Sequence, residues 1–312
     1  MNTVKHLSYL IIGITLCCIN TLQGQGWMKF YDTAFDDYAT AVTQTMDEGF
    51  LLAGTTSVGN IGVDFSDAIA LVRTNSRGDT IWTKTIDFVS YNPALHDQDH
   101  ESIIFIKKKD NGHFILAGNF SHKENTSASQ SYLFLVEIDA TGTVLWTKKQ
   151  HFGFRPQNGG LAPNSLSISN ISFTDNEALI ISGKRTGSLP YQGSYASFVA
   201  KLNPIGDVIW ATDAYKVTYN SPLFEKLWSV AGHIQTDDNS VICISNVYNP
   251  YPLYPANTPH TYKTVLSKVD SNGHLIESIS IDSSEAYRDF SGLSKTSDNK
   301  LVLCGSHTSK ID

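Results

Sequence analysis

Trp82, Trp146 and Trp210 follow one another at intervals of 64 residues, and each stands four residues after a glycine: Gly78, Gly142 and Gly206. The segment Ile81-Trp82-Thr83-Lys84 returns as Leu145-Trp146-Thr147-Lys148 and as Ile209-Trp210-Ala211-Thr212. A fourth copy keeps the glycine, Gly273, and carries Glu277 in the tryptophan's place. A fixed period of this length means a chain built from repeated supersecondary units, each burying its apolar face on its neighbour.

Two further blocks recur in phase. One reads Phe50-Leu51-Leu52-Ala53-Gly54, then Phe114-Ile115-Leu116-Ala117-Gly118, Leu179-Ile180-Ile181-Ser182-Gly183, Ser240-Val241-Ile242-Cys243-Ile244 and Leu301-Val302-Leu303-Cys304-Gly305. The other includes Tyr132-Leu133-Phe134-Leu135-Val136 and Thr264-Val265-Leu266-Ser267-Lys268. Each repeat thus holds four short strand-like runs. Asp, Asn and Gly between them supply the side-chain bonds and positive φ of tight hairpins. Few charged residues (17%) and abundant Tyr (14) and Phe (15) suit half-buried strands. The expected fold is all-β: a β-propeller of four-stranded antiparallel blades.

Complete copies span about 40–88, 101–150, 165–215 and 228–282. The segment from Trp27 to Asp32 matches Trp82 to Asp87, a lone fourth strand, and a first and second strand remain at about 289–305. Joined, these pieces make a fifth blade and close the ring, which removes exposed sheet edges. The alternative is a segment of a larger secreted repeat protein.

The blade pattern resembles that of secreted bacterial β-propeller repeat proteins of the Bacteroidetes type. The resemblance is carried by Gly112-His113-Phe114-Ile115-Leu116-Ala117-Gly118 and by Leu135-Val136-Glu137-Ile138-Asp139-Ala140-Thr141-Gly142-Thr143-Val144-Leu145-Trp146. It implies the fold and says little of activity.

At the amino end, Lys5 and His6 precede a 13-residue apolar run from Leu7 to Ile19. That is short for a membrane span and fits a signal peptide over residues 1–26. Residues 27–312 then form one propeller domain without a transmembrane span, exported to the periplasm, the cell surface or the medium. A net charge of −7 argues against a nucleic-acid partner. Cys243 and Cys304 align in consecutive copies and read as two buried, unpaired thiols, since equivalent positions in adjacent blades lie too far apart to bridge.

No nucleotide, zinc-protease or serine-hydrolase motif is present. Asp97, Asp99, His100 and Glu101 form the densest ligand-type cluster and make a weak calcium or transition-metal candidate; no other cofactor is expected. Asp37, Glu101, Glu225 and Asp289 lie near the start of the first strand in different repeats. Propellers place that strand innermost, so these acids are candidate catalytic carboxylates around a channel, as the paired acids of glycosidases are. The stiff loop carrying Tyr248, Tyr251 and Tyr254 offers aromatic anchors for a glycan or protein. The favoured expectation is a non-enzymatic recognition or scaffold module. The alternative is a hydrolase acting on polysaccharide.

Overall fold

In a computed structural model, the described residues are 28–31, 37–58, 66–87, 98–123, 130–150, 152, 165–187, 194–217, 226–249, 261–283, 287–298 and 300–308. They form successive antiparallel sheets. The first comprises β1 (Asp37–Gln44), β2 (Phe50–Val58), β3 (Ser66–Thr74) and β4 (Thr80–Ile86). The second comprises β5 (Gln98–Lys108), β6 (Phe114–Lys123), β7 (Gln130–Ile138) and β8 (Val144–Gln150). The third holds β9 (Ser165–Phe173), β10 (Leu179–Gly187), β11 (Ser194–Leu202) and β12 (Val208–Val217). The fourth holds β13 (Lys226–Gln235), β14 (Val241–Asn249), β15 (Thr261–Val269) and β16 (Leu275–Ser283). A hairpin of β17 (Tyr287–Lys295) and β18 (Leu301–Thr308) follows. Strands in each full sheet pair in chain order, and the leading strands β1, β5, β9, β13 and β17 touch in succession. This is the propeller arrangement, with the leading strands innermost. No helix among the described residues is long and apolar enough to cross a membrane.

Period-two alternation sends successive side chains of a strand to opposite neighbours. Leu51 and Ala53 of β2 pack with Ile103 and Ile106 of the following sheet, while Leu116, Phe134 and Val136 of that sheet face back toward the first. Ile115, Ala117, Leu133 and Leu135 face forward onto Leu166, Ile168, Ile171 and Phe198. Ile180 and Val199 meet Leu227, Val241, Cys243 and Val265 in the same way. Each Leu, Ile, Val or Phe side chain so removed from water contributes about 1.5–3 kcal/mol, so these interfaces carry most of the stabilising burial.

The glycine of the tryptophan block serves the neighbouring blade. Asn75, Asp139, Asn203 and Asp270 each accept, through Oδ1, the backbone N–H groups two and four residues on, which fixes the turn between third and fourth strands. Gly142, Gly206 and Gly273 in these turns have φ of 76°, 81° and 87°. Over each lies the tryptophan of the preceding sheet. A Cβ would come within 2.7 Å of Trp82 at Gly142, 3.2 Å of Trp146 at Gly206 and 2.8 Å of Trp210 at Gly273. The tryptophans are blade-packing residues, as the repeat implied.

The cysteine expectation is corrected. Cys243 is buried, but Cys304 is exposed. The hairpin turns set the true frame: Thr236 and Thr296 open equivalent turns, as do Thr45, Lys109 and Thr174. In that frame Cys304 matches Ile244, Ala53, Ala117 and Ser182, whereas Cys243 matches Leu52, Leu116 and Ile181. The two thiols therefore point to opposite faces of their sheets.

Candidate active site

The inner strands bring the predicted acids to different places. Asp37 opens β1, in register with Thr56 of β2. Glu101, in β5, is in register with Phe120, the repeat equivalent of Thr56. The two carboxylates thus hold the same position on neighbouring innermost strands and point in the same sense around the ring. Glu101 is 1% exposed. Its carbonyl accepts a hydrogen bond from Thr55 Oγ1 at 3.3 Å. Because Thr55 neighbours the partner of Asp37, that bond ties the two strand entrances together.

The remaining acids do not extend the pair. Arg288, in register with His307, holds the matching place in β17, while Asp289 is paired with Ser306, one position on. In β9 the place is taken by Leu166, against Arg185. Glu225 lies outside the described residues.

Asp37 lines an open cleft of about 500 Å³ on the first sheet, together with Tyr31, Tyr38, Leu52, Val72 and Lys84. The metal-candidate cluster is divided. Asp97 lies outside the described residues, whereas Asp99, His100 and Glu101 belong to β5. Among the described residues no three metal-ligating side chains cluster. Of the tyrosine loop, Tyr248 is the penultimate residue of β14 and stacks on Tyr262 of β15, with ring centroids 4.7 Å apart and planes at 23°. Tyr251 and Tyr254 lie outside the described residues.

Two polar clusters escaped sequence reasoning. His233 is buried between sheets, its Nε2 2.7 Å from Ser172 Oγ and its Nδ1 2.9 Å from Ser182 Oγ. Burial, aided by the charge of Lys107, lowers its pKa to about 3, so it is a neutral clamp between the third and fourth sheets. Its signal was a break in pattern, since Ile106 and Ile171 occupy the same place. Glu137 stands where other repeats have Arg73, Lys201 and Lys268. It accepts hydrogen bonds from Lys109 Nζ at 3.2 Å and Trp146 Nε1 at 2.9 Å, and lies 2.7 Å from His113 Nδ1. Burial pushes its carboxyl up, but His113, Lys109 and Trp146 together more than offset this and leave it below the usual range. This cluster lies at the turn end of the blades, away from Asp37 and Glu101.

No family model matches the chain, and no curated protein matches it in sequence. Among solved structures it is similar to MPT-4, a mannose phosphorylase from Leishmania mexicana, at 12% identity and a TM-score of 0.36, over 96% of this chain and 90% of that one. A xylan β-1,4-xylosidase from Bacillus halodurans matches at 12% identity and a TM-score of 0.36, over 87% of this chain, which spans only 44% of the xylosidase. A putative glycoside hydrolase from Parabacteroides distasonis matches at 12% identity and a TM-score of 0.37, over 78% of this chain and 72% of that one. The expectation of a non-enzymatic recognition module is corrected here: the structures matched are enzymes that act on carbohydrate, the class of the alternative expectation.

Proposed function

We propose that the chain acts on carbohydrate, with Asp37 and Glu101 as its working carboxylates. The observation that carries this reading is their shared register on neighbouring innermost strands, β1 and β5, with Glu101 buried. Glycosyl transfer to water needs two carboxyl groups, one protonating the leaving oxygen and the other acting as nucleophile or activating water. Asp37 opens onto the cleft of the first sheet, and Glu101 is buried at the corresponding place of the second. Thr55 is the positioning residue, since its bond to the Glu101 carbonyl fixes one strand entrance against the other.

The substrate classes to test first are mannosides and xylosides, the compounds named for the similar enzymes. Purified protein is incubated with β-linked mannan and xylan oligosaccharides, each with and without inorganic phosphate. Shortened products in water indicate hydrolysis, and sugar phosphates indicate phosphorolysis. Turnover of one class supports the proposal. Intact oligosaccharides under every condition, with a folded protein, refute it.

A further inference from the structure

A break in the repeat hollows the cleft on the first sheet. Across each full sheet, one row of paired residues runs from the innermost strand to the outermost. In the second sheet it reads Ile103, Gly118, Phe134 and Lys149. In the third it reads Ile168, Gly183, Phe198 and Asp213. In the fourth it reads Val230, Ser245, Val265 and Ser280. In the first it reads Ala39, Gly54, Ala70 and Thr85. The large members fill the space between blades. Phe134 and Phe198 are fully buried, and a Cβ on Gly118 or Gly183 would come within 2.5 Å or 3.0 Å of their rings. Ala70 holds the phenylalanine's place and Ala39 the isoleucine's, and both line the cleft of about 500 Å³.

The hollow carries polar groups at both ends. Asp37 and Tyr38 border it on the innermost strand, and Tyr38 is 66% exposed. Thr83 and Thr85 border it on the outermost strand, and both are exposed. Leu52 and Val72 line it on the strands between. Tyr31 forms a further wall, held in place by the hydrogen bond from its hydroxyl to the Gly78 carbonyl at 2.7 Å. A sugar ring has C–H groups on its faces and hydroxyls around its edge. It fits an aliphatic and aromatic seat with a few hydrogen-bonding groups at the margin, within the usual volume of about 300–1,000 Å³ for a small-molecule site.

We propose that this cleft is the sugar-binding subsite of the carbohydrate activity argued above, a reading on which the inference rests, and that Ala70 sets its size. The row crosses four strands at spacings of about 4.8 Å, which gives a seat roughly 14 Å long. That length takes an oligosaccharide rather than a single ring. The chain lies across the strands, with the reacting unit beside Asp37 and the following units over Ala70 toward Thr85. A small residue at position 70 is what opens the floor, since a phenylalanine there packs over the glycine of β2 as Phe134 and Phe198 do over theirs.

Filling the floor tests this without touching either carboxylate. Wild type and Ala70→Phe are titrated calorimetrically with β-linked mannotriose and xylotriose, and with mannose and xylose. Wild type is expected to bind one trisaccharide per chain at least about tenfold more tightly than the monosaccharide. Ala70→Phe, with an unchanged thermal midpoint, is expected to weaken that binding at least about tenfold. If Ala70→Phe fails to fold, Ala39→Ile, which sets the isoleucine of β5 and β9 on β1, decides. Trisaccharide binding unchanged in the filled variant overturns the proposal, as does a monosaccharide bound equally well. A wild type that binds neither trisaccharide, whether monomeric or paired with a second copy through this face, overturns it too. Turnover separates the two readings. Binding that Ala70→Phe abolishes, by a wild type that turns nothing over, keeps the cleft and refutes only the catalytic roles of Asp37 and Glu101.

Discussion

Mild acid should weaken this fold through one residue. His233 is buried and hydrogen-bonded to two serine hydroxyls, with its pKa lowered from 6.5 to about 3. In the unfolded chain the imidazole takes up a proton below pH 6.5, while the folded chain excludes it until about pH 3. A depressed pKa of this kind contributes stability that is fully present above the unfolded value and is lost as pH falls toward the folded one. The loss approaches about 1.4 kcal/mol per pH unit once the unfolded histidine is mostly protonated, and reaches about 2 kcal/mol at pH 5. The other facing charge is Lys107, which opposes protonation in the same direction. Urea unfolding at pH 7, 6 and 5 measures the effect, and pH 5 remains above the range in which the surface carboxylates titrate. His233→Gln keeps hydrogen-bonding capacity but has no proton to gain, so its stability should be nearly flat over this interval. A wild-type protein equally stable at pH 7 and pH 5, or a His233→Gln variant with the same slope, refutes the reasoning.

Three further substitutions probe the blade interfaces. Gly206→Ala places a Cβ at positive φ and against Trp146, and should cost at least about 1–2 kcal/mol in urea unfolding; a neutral result would contradict the turn geometry. Phe198→Ala, within the core shared by the second and third sheets, should cost about 3–5 kcal/mol, read as a fall in the thermal midpoint. Asn246→Ala removes the bonds to Phe290 and Thr264 and should cost about 1–3 kcal/mol, with hydrogen exchange rising first in β17 and β18. Uniform exchange across all the sheets would show that Asn246 does not hold the hairpin.

The blades were legible because their signals are local. Gly78 and Trp82 lie in one turn and one strand, and the alternation within Phe114 to Gly118 is enough to write a second strand. What joins one blade to the next was not legible, because it runs between residues about a repeat apart. Gly206 is small for Trp146, in the preceding sheet, not for Trp210 beside it in the chain. Cys243 and Cys304 look equivalent by their flanking residues, yet the turn frame separates them by one place and so puts them on opposite faces; Cys304 is exposed because no sheet follows its hairpin among the described residues. The acids were aligned by eye with the same slip: in strand register Asp289 is one residue from the place held by Asp37 and Glu101. Breaks in the repeat carried more information than its consensus, as Glu137 and His233 show.

Substitution of the two inner-strand acids tests the functional account most directly. Asp37→Asn and Glu101→Gln are compared with wild type and with Asp298→Asn, a turn carboxylate paired with Lys300 on the surface. Each protein is checked for an unchanged thermal midpoint and then assayed on whichever mannoside or xyloside the wild type turns over. The account predicts that each inner-strand substitution lowers kcat by about a hundredfold or more, the usual contribution of a positioned acid or base, while Asp298→Asn leaves it unchanged. Folded Asp37→Asn and Glu101→Gln proteins with wild-type turnover would contradict it.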